Sequence, residues 1–377
     1  MNFELDEDQQ MLRDSVRRYL EKAYGFEQRR EIAARGGLDR EQWTQFAEMG
    51  WLAVGLPESV GGYGGFNESA LVLEEFGRAL VLEPYLSCAV HAGQLLLNSG
   101  AGDVEALLAP LISGEQLYGV AHTEPQARGR PLWVQTRATR SAQGYVLDGT
   151  KTLVPGGDAA DRFLVSARVS GDAEDTQGIA LFLVDRDTPG LGLRPYALVD
   201  GSRAADLSFD GMTVPVDALL GSESGAGEVL EQAGALATIG CCAQMLGAID
   251  VALWITRDYL NTRKQFGVAI GSFQALQHRM ADMYIALEQA RSMVYRGLAA
   301  AESGDRAALL AAASSSKAQL GRSAQFVGAQ SIQLHGGIGV TEEYSIGHYF
   351  KHLLVLESLQ GSSAYHLGRI AQSLRAA

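Results

Sequence analysis

The sequence is poor in cysteine and proline, and it has fewer basic than acidic residues. Its 377 residues include 3 cysteines and 9 prolines. Two of the cysteines, Cys241 and Cys242, are adjacent and lie between apolar residues, which predicts core thiols rather than a disulfide framework. So few cysteines fit a reducing compartment, and we therefore expect the protein in the cytoplasm.

Other absences exclude several classes of partner and site. The net charge is -13 and no run of five basic residues occurs, so neither nucleic acid nor an anionic membrane is an expected partner. No window approaches 18 uninterrupted apolar residues, which predicts no membrane insertion. The acidic, polar start MNFELDEDQQ predicts no signal peptide. The seven histidines are scattered and neither CxxC nor HExxH occurs, so we expect no metal site.

The first third of the sequence has the spacing of helices. Over residues 5–22 one face collects Met11, Leu12, Val16, Tyr19 and Leu20. Asp6 is placed to cap this helix. Further helical patterns cover 41–52, 68–80 and 103–112, and the glycine loop GGYGG (61–65) separates two of them. This part predicts an N-terminal α domain over 1–116, in a chain long enough for two or three subdomains.

Near residue 117 the pattern changes to short strands. YVLDGTKTLV, RFLVSARVS, IALFLVDRD and ADLSFDGMTV are rich in Val, Ile, Leu and Phe and are separated by Gly, Asp and Pro. This pattern predicts an antiparallel β domain over 117–222. From 223 to 377 long alanine-rich segments predict a four-helix bundle, with helices over 227–266, 272–303, 306–334 and 344–375. The predicted class is α+β, mostly α.

The stretch HGGIGVTEEY (335–344) admits two interpretations from spacing alone. Its glycines favour either a backbone turn against a phosphate or a helix C-cap. A dinucleotide fingerprint needs a strand before and a helix after its glycines, so a Rossmann unit does not fit here. We expect His335 to be a packing histidine and Thr341 to cap the last helix.

Four stretches carry a resemblance to a known family: HTEP (122–125), LDGTKTLVPGGDAADRFLV (147–165), TRKQFGVAIGSFQALQHRMADM (262–283) and QLHGGIGVTEEY (333–344). Along nearly its whole length the chain resembles the acyl-CoA dehydrogenases. The resemblance implies FAD as cofactor, an acyl-CoA substrate, an electron-transfer flavoprotein as acceptor and a tetramer.

The resemblance also implies that each FAD is shared between two subunits. One subunit surrounds the flavin ring, and its neighbour holds the pyrophosphate and adenosine. The residues that this chain would donate to a neighbour's FAD are Arg263, Phe266, Gly267, Gln274, Gln333, Gly336 and Gly337. An arginine matches phosphate oxygens bidentately, which suits that role.

The positions expected around the chain's own flavin ring differ from the family pattern. The family's catalytic glutamate is replaced by Gln360, followed by Gly361 and Ser362. An amide cannot take a proton at neutral pH. The alternative base position and its neighbour hold Ala237 and Thr238. Other departures are Arg128, Leu153 and Pro155, while Thr123, His122 and Ser362 remain candidate ring contacts.

These departures favour the base-lacking small subunit of a heteromeric α2β2 member, as in pimeloyl-CoA or steroid side-chain oxidation, with a glutamate-bearing homologous partner. Two alternatives stay open. One is a homotetrameric dehydrogenase with a displaced base, for which Glu357 is the weak candidate, although a surface acid is the plainer interpretation. The other is a flavin monooxygenase of the same fold. Asp250 is expected to be a structural helix residue.

Overall fold

The first helix illustrates how local sequence sets an element. In the computed structural model, which describes residues 4–376, α1 spans Glu7–Ala23. The Asp6 carboxylate accepts a hydrogen bond from the Gln9 amide at 2.8 Å, and the Gln9 side chain accepts one from the Asp6 amide. This reciprocal capping box confirms the predicted cap at Asp6.

The chain forms two compact units, each built from separated segments. The bundle unit comprises the residues up to Arg30, Ala70–Val81 and the chain from Thr238 onward; the sheet unit comprises Glu31–Ser69 and Leu82–Ala237. The helices are α1, α2 (Phe26–Arg35), α3 (Arg40–Glu48), α4 (Phe66–Ala79), α5 (Gly93–Leu97, preceded by a π-helical turn Leu86–Ala92), α6 (Val104–Ile112), α7 (Ala226–Thr262), α8 (Gln274–Glu302), α9 (Arg306–His335), α10 (Ser345–Ser358) and α11 (Ser363–Ala376).

Helix α7 is long and apolar enough to cross a membrane by length and composition, but 94% of its most apolar window is buried inside the protein. Two glycines let α7 approach α4 closely. A Cβ added to Gly77 would lie 1.9 Å from the Gln244 carbonyl oxygen, and one added to Gly247 would lie 1.9 Å from that of Glu74. The two backbones therefore meet without intervening side chains.

An ion-pair network surrounds this crossing. The Asp250 carboxylate pairs with Arg78 and, at 3.5 Å, with Arg291, and it accepts a hydrogen bond from the Trp254 indole at 3.1 Å. These contacts confirm Asp250 as a structural helix residue.

The last predicted helix, 344–375, is wrong in one respect, because it is interrupted at residues 359–362. Gln360 and Gly361 adopt the left-handed conformation, with φ of 57° and 86°, and a right-handed helix cannot continue through them. The predicted cap at Thr341 is also wrong. Residues 336–340 form a 3₁₀ turn, the Thr341 hydroxyl donates to the Ile338 carbonyl at 3.0 Å, and α10 begins only at Ser345.

The sheet unit is built on eight strands: β1 (Tyr118–Ala121), β2 (Arg137–Ser141), β3 (Gly144–Pro155), β4 (Arg162–Arg168), β5 (Ile179–Asp185), β6 (Leu191–Ala197), β7 (Arg203–Val214) and β8 (Leu219–Leu220). Their order is β6-β7-β3-β2-β4-β5-β8, with β1 beside β4. The sheet is not purely antiparallel, since β1 pairs with β4 in parallel and Arg137 of β2 pairs with Arg168 in the same sense. The long connection between β1 and β4 allows the chain to return in the same direction.

Apolar side chains of the central strands form the sheet core, among them Tyr145, Leu147, Phe163, Val165, Phe182, Val184, Leu207 and Phe209. The order of helices, sheet and bundle confirms the predicted fold class. The limits 1–116, 117–222 and 223–377 stay predictions.

Candidate functional site

An aromatic stack brings two predicted cofactor segments to the same end of the bundle unit. The Tyr259 ring stacks on the His335 ring with centroids 4.4 Å apart, and the Tyr259 hydroxyl donates to the His335 carbonyl at 3.2 Å. Tyr259 lies one helical turn before Arg263, and His335 immediately precedes Gly336. The sequence analysis missed Tyr259, because nothing in its local pattern distinguishes it from other helix-face aromatics.

His335 is a packing histidine, as predicted. Its ring is buried, and Nδ1 donates to the Ser331 carbonyl at 2.8 Å. Burial lowers the pKa of His335, which keeps the ring neutral at physiological pH.

The arginine segment that follows α7 is exposed. Within residues 4–376 the Arg263 guanidinium has neither an ion pair nor a hydrogen bond. Phe266 lies in the hairpin between β9 (Lys264–Gln265) and β10 (Val268–Ala269), with a left-handed φ of 54° and 90% of its surface exposed. Gln274, also exposed, begins α8. A bare cation beside an uncovered aromatic ring is typical of a surface that another molecule covers.

The glycine segment is open as well. Gly336 ends α9 with φ of 63°, and its N–H bonds to the Gln333 and Ile332 carbonyls. A Cβ added to Gly336 or Gly337 would have no atom within 4 Å. HGGIG is thus a helix C-terminus, and Gly336 offers space rather than a donor. The Gln333 side chain is exposed beside it. Together the arginine segment and the glycine segment offer a positive charge and open space. Both suit the adenosine-pyrophosphate half of FAD.

The link between α10 and α11 carries Gln360. Its carbonyl accepts a hydrogen bond from His366 Nε2 at 2.8 Å. Burial lowers the pKa of His366 to about 4, so the ring donates as neutral imidazole. The Ser362 hydroxyl accepts a hydrogen bond from the Tyr365 amide at 3.3 Å, as an N-cap of α11 does.

Glu357 is not the solvated surface acid expected from the sequence. One of its oxygens, Oε1, accepts hydrogen bonds from the amide and the hydroxyl of Ser363, both at 2.8 Å. A carboxylate at a helix N-terminus is favoured by the helix dipole, so Glu357 stabilises the start of α11.

In the sheet unit the strand that carries Leu153 is held by Asp206, which the sequence analysis missed. The Asp206 carboxylate accepts hydrogen bonds from the Thr152 hydroxyl (2.7 Å), the Leu153 amide (3.1 Å) and the Tyr196 hydroxyl (2.9 Å). Burial opposes ionisation of Asp206, but these bonds and that from Arg194 outweigh it and lower its pKa to about 2. Leu153 itself has a left-handed φ of 51°.

HTEP and Lys151 form a buried network. Lys151 Nζ lies 2.6 Å from Glu124 Oε1 and 3.0 Å from the Ser166 hydroxyl. His122 Nε2 donates to the Pro131 carbonyl at 2.6 Å, so Nδ1 accepts from Ser166 at 2.8 Å. Burial lowers the pKa of Lys151 to about 8, against the pull of Glu124.

Thr123 lies beside this network and is exposed. Its carbonyl accepts a hydrogen bond from the Thr152 amide at 2.8 Å. The network therefore fixes the backbone of the Thr123 turn against β3.

Three family models match consecutive parts of the sequence. They describe the N-terminal domain (residues 6–115), the middle domain (119–212) and the C-terminal domain (228–375) of acyl-CoA dehydrogenase. The chain belongs to the acyl-CoA dehydrogenase family. As a member it is an oxidoreductase that acts on a CH–CH bond, and the family's cofactor is FAD.

Individual known proteins resemble the chain over most of their length. Benzylmalonyl-CoA dehydrogenase of Aromatoleum aromaticum is 33% identical over 304 residues, which cover 78% of this chain and 79% of that one. A chain of the ChsE4-ChsE5 complex from Mycobacterium tuberculosis is 29% identical, with complete coverage of both chains and a TM-score of 0.89. A variant of the steroid ACAD Tcur3481-Tcur3483 is 29% identical, with 98% coverage of each chain and a TM-score of 0.88.

Proposed function

We propose that this chain is the base-lacking subunit of an α2β2 acyl-CoA dehydrogenase and completes the FAD site of a glutamate-bearing homologous subunit. The observation that carries the proposal is the contrast between two sets of residues. The set for a neighbour's cofactor keeps the family pattern and is exposed, whereas Gln360 stands where the family's base is expected. When bound, FAD supplies the hydride acceptor for the oxidation.

Gln360 limits what the chain can do with its own site. Its carboxamide donates and accepts hydrogen bonds but takes no proton at neutral pH. Ala237 and Thr238 occupy the alternative base position and its neighbour, so neither place supplies a carboxylate. General-base catalysis typically accelerates a reaction about 10²–10⁴-fold. Without a base, the chain's own site should therefore have little activity.

The exposed apolar surface supports assembly through the bundle. Large apolar side chains that are at least one-third exposed recur from the β9–β10 hairpin to α11, namely Phe266, Val268, Phe273, Tyr284, Ile285, Phe326, Ile338, Val340, Leu354, Leu367 and Leu374. Uncovered apolar surface of this kind marks an interface. Tetramer formation would cover it and would place Arg263, Phe266, Gln274, Gln333, Gly336 and Gly337 against a neighbour's cofactor.

The comparisons support the heteromeric form, because two of the similar structures are named as pairs, ChsE4-ChsE5 and Tcur3481-Tcur3483. We assign an acyl-CoA as substrate and an electron-transfer flavoprotein as acceptor, and we place the enzyme in the cytoplasm. The three cysteines are free and buried, consistent with a reducing compartment.

The test is to purify the chain alone and with a co-expressed glutamate-bearing homologue, and to measure flavin per protomer by absorbance. Both preparations are assayed on a panel of acyl-CoAs with a dye acceptor. We expect little flavin and little turnover for the chain alone, and activity with about half the usual FAD per tetramer in the complex. Near-stoichiometric FAD with robust turnover by the chain alone would refute the proposal.

A homotetramer with a displaced base is the second candidate, since the Glu357 carboxylate lies three residues before Gln360. In that case the chain is active alone and Glu357→Gln abolishes turnover. Glu357→Gln keeps an oxygen that can accept from Ser363, so its protein should remain folded. Oxygen consumption by the chain with its own reduced flavin would instead favour the monooxygenase.

A further inference from the structure

A buried lysine reaches from α9 to the link that carries Gln360. Lys317 is fully buried, and its ammonium donates hydrogen bonds to the carbonyls of Leu356 and Leu359, the latter at 2.7 Å. It also lies 3.5 Å from Cys241 Sγ. Both carbonyls belong to the end of α10, where the helix leaves such groups without a backbone partner. The cation therefore satisfies them and faces the negative end of the α10 dipole.

Hydrogen bonds also hold the opposite side of the link. His366 fixes the Gln360 carbonyl, and Glu357 fixes the Ser363 amide. One turn after Lys317, Gly321 leaves space for the start of α11, because a Cβ added there would lie 2.7 Å from Ser363 Cβ. Contacts from α9, α10 and α11 thus surround a residue with a left-handed φ of 57°.

Glutamine is not a residue that favours this conformation, because its Cβ is crowded by the following carbonyl oxygen. Strained backbone of this kind persists only where the surroundings over-determine it. The surroundings of Gln360 include the buried ammonium of Lys317. A buried charge costs free energy unless its hydrogen-bond donors are satisfied. Through the Leu356 and Leu359 carbonyls, Lys317 ties α9 to the end of α10 and to the start of the link.

We propose that Lys317 is a positioning residue that sets where residue 360 presents its side chain. The inference rests on the proposed function, in which position 360 is that of the family's base. The contacts that would position a catalytic base are thus retained in a chain whose residue at that position is an amide. A carboxylate introduced by Gln360→Glu would be held in the same place by the same contacts of Lys317, His366 and Glu357.

The first test is hydrogen–deuterium exchange of the full-length protein, read by mass spectrometry. Lys317→Met removes the charge and the donors but keeps an unbranched side chain. We expect exchange in peptides covering 356–366 to accelerate about tenfold or more, with exchange in α8 unchanged. Ser316→Ala is the matched control: its buried hydroxyl bonds the Met293 carbonyl at 2.6 Å, away from the link. It should leave exchange in 356–366 unchanged.

Unaltered exchange in 356–366 for folded Lys317→Met would overturn the proposal, as would equal acceleration throughout α8 and α9. If Lys317→Met does not fold, Lys317→Gln serves, since its shorter neutral side chain cannot reach both carbonyls and should accelerate the same peptides. Local acceleration by Ser316→Ala would also overturn it.

The second test asks whether the positioning of residue 360 by Lys317 affects catalysis. In a Gln360→Glu background, assayed with added FAD in a complex whose partner has its own catalytic glutamate replaced by glutamine, turnover comes only from this chain. There Lys317→Met should lower kcat about tenfold or more while KM changes less than about twofold, because the acyl-CoA contacts remain. A loss confined to KM would contradict positioning. Absence of turnover in Gln360→Glu itself would count against the assignment of position 360, while the exchange experiment still decides the role of Lys317.

Discussion

At the scale of single residues, the exposed guanidinium of Arg263 invites a direct test. A charge-assisted pair with a desolvated phosphate is worth roughly 1.5–3 kcal/mol. In the flavin-loaded complex, Arg263→Ala should therefore weaken FAD retention about tenfold or more, measured by flavin release on dilution. Arg257→Ala is the control, because Arg257 already pairs with Asp258 at 2.7 Å. Unchanged flavin content in Arg263→Ala would remove this residue from the cofactor site.

His122 makes stability depend on pH. Burial, reinforced by Lys151, lowers its pKa from 6.5 to about 4. Between these values the unfolded chain binds a proton that the folded chain does not, so stability falls as the pH drops from about 6.5 to 4. The loss from this group should approach about 3 kcal/mol. Urea unfolding across that range should show that the free energy of unfolding depends less steeply on pH in His122→Asn than in the unaltered protein. The same pH dependence in both proteins would mean that other groups govern it.

At the scale of elements, the crossing of α4 and α7 depends on two glycines. Gly247→Ala places a methyl group against the Glu74 carbonyl, and overpacking of this kind costs about 1–3 kcal/mol. Gly234→Ala lies in the same helix with no atom within 4 Å of the added Cβ. It should be neutral or stabilise by up to about 1 kcal/mol, since alanine favours helices. Thermal unfolding of the two variants compares them directly, and equal effects would contradict the close packing.

The elements also show how far sequence reasoning reaches. Helical spacing of apolar residues located α1, whereas α7, α8 and α9 were predicted from long alanine-rich segments without strand or turn signals. It did not find the break at Gln360, since a left-handed glutamine is imposed by tertiary contacts from Lys317 and His366 rather than by local preference. It missed β1 and β8, which are short, β2, which is mostly polar, and β6, in which no residue is fully buried. The cofactor residues were predicted from family motifs and stay predictions, whereas Tyr259 and Asp206 act through partners distant in sequence.

At the scale of the whole molecule, the uncovered bundle surface predicts assembly. Light scattering of the co-expressed complex should give the mass of a tetramer. Phe266→Ser, which removes an exposed ring without disturbing a core, should shift the assembly towards smaller species at low protein concentration. Val199→Ser is the control, since Val199 is an exposed apolar residue of the sheet unit, with 66% of its surface accessible. A stable monomer, with or without a partner chain, would contradict the prediction.

The division of each unit into separated segments has a consequence for how the protein is made. Helix α1 belongs to the bundle unit, yet the other parts of that unit come from residues 70–81 and from Thr238 onward. On the ribosome, α1 and residues 70–81 are therefore made long before the last segment of their unit, which begins only after 237 of the 377 residues. The segments of the sheet unit are complete by Ala237, so this unit can fold during translation while the bundle unit is still incomplete. The buried residues of α1, Val16 and Leu20, thus pass through an interval in which their unit cannot yet be complete, and we expect molecular chaperones to act on the nascent chain in that interval.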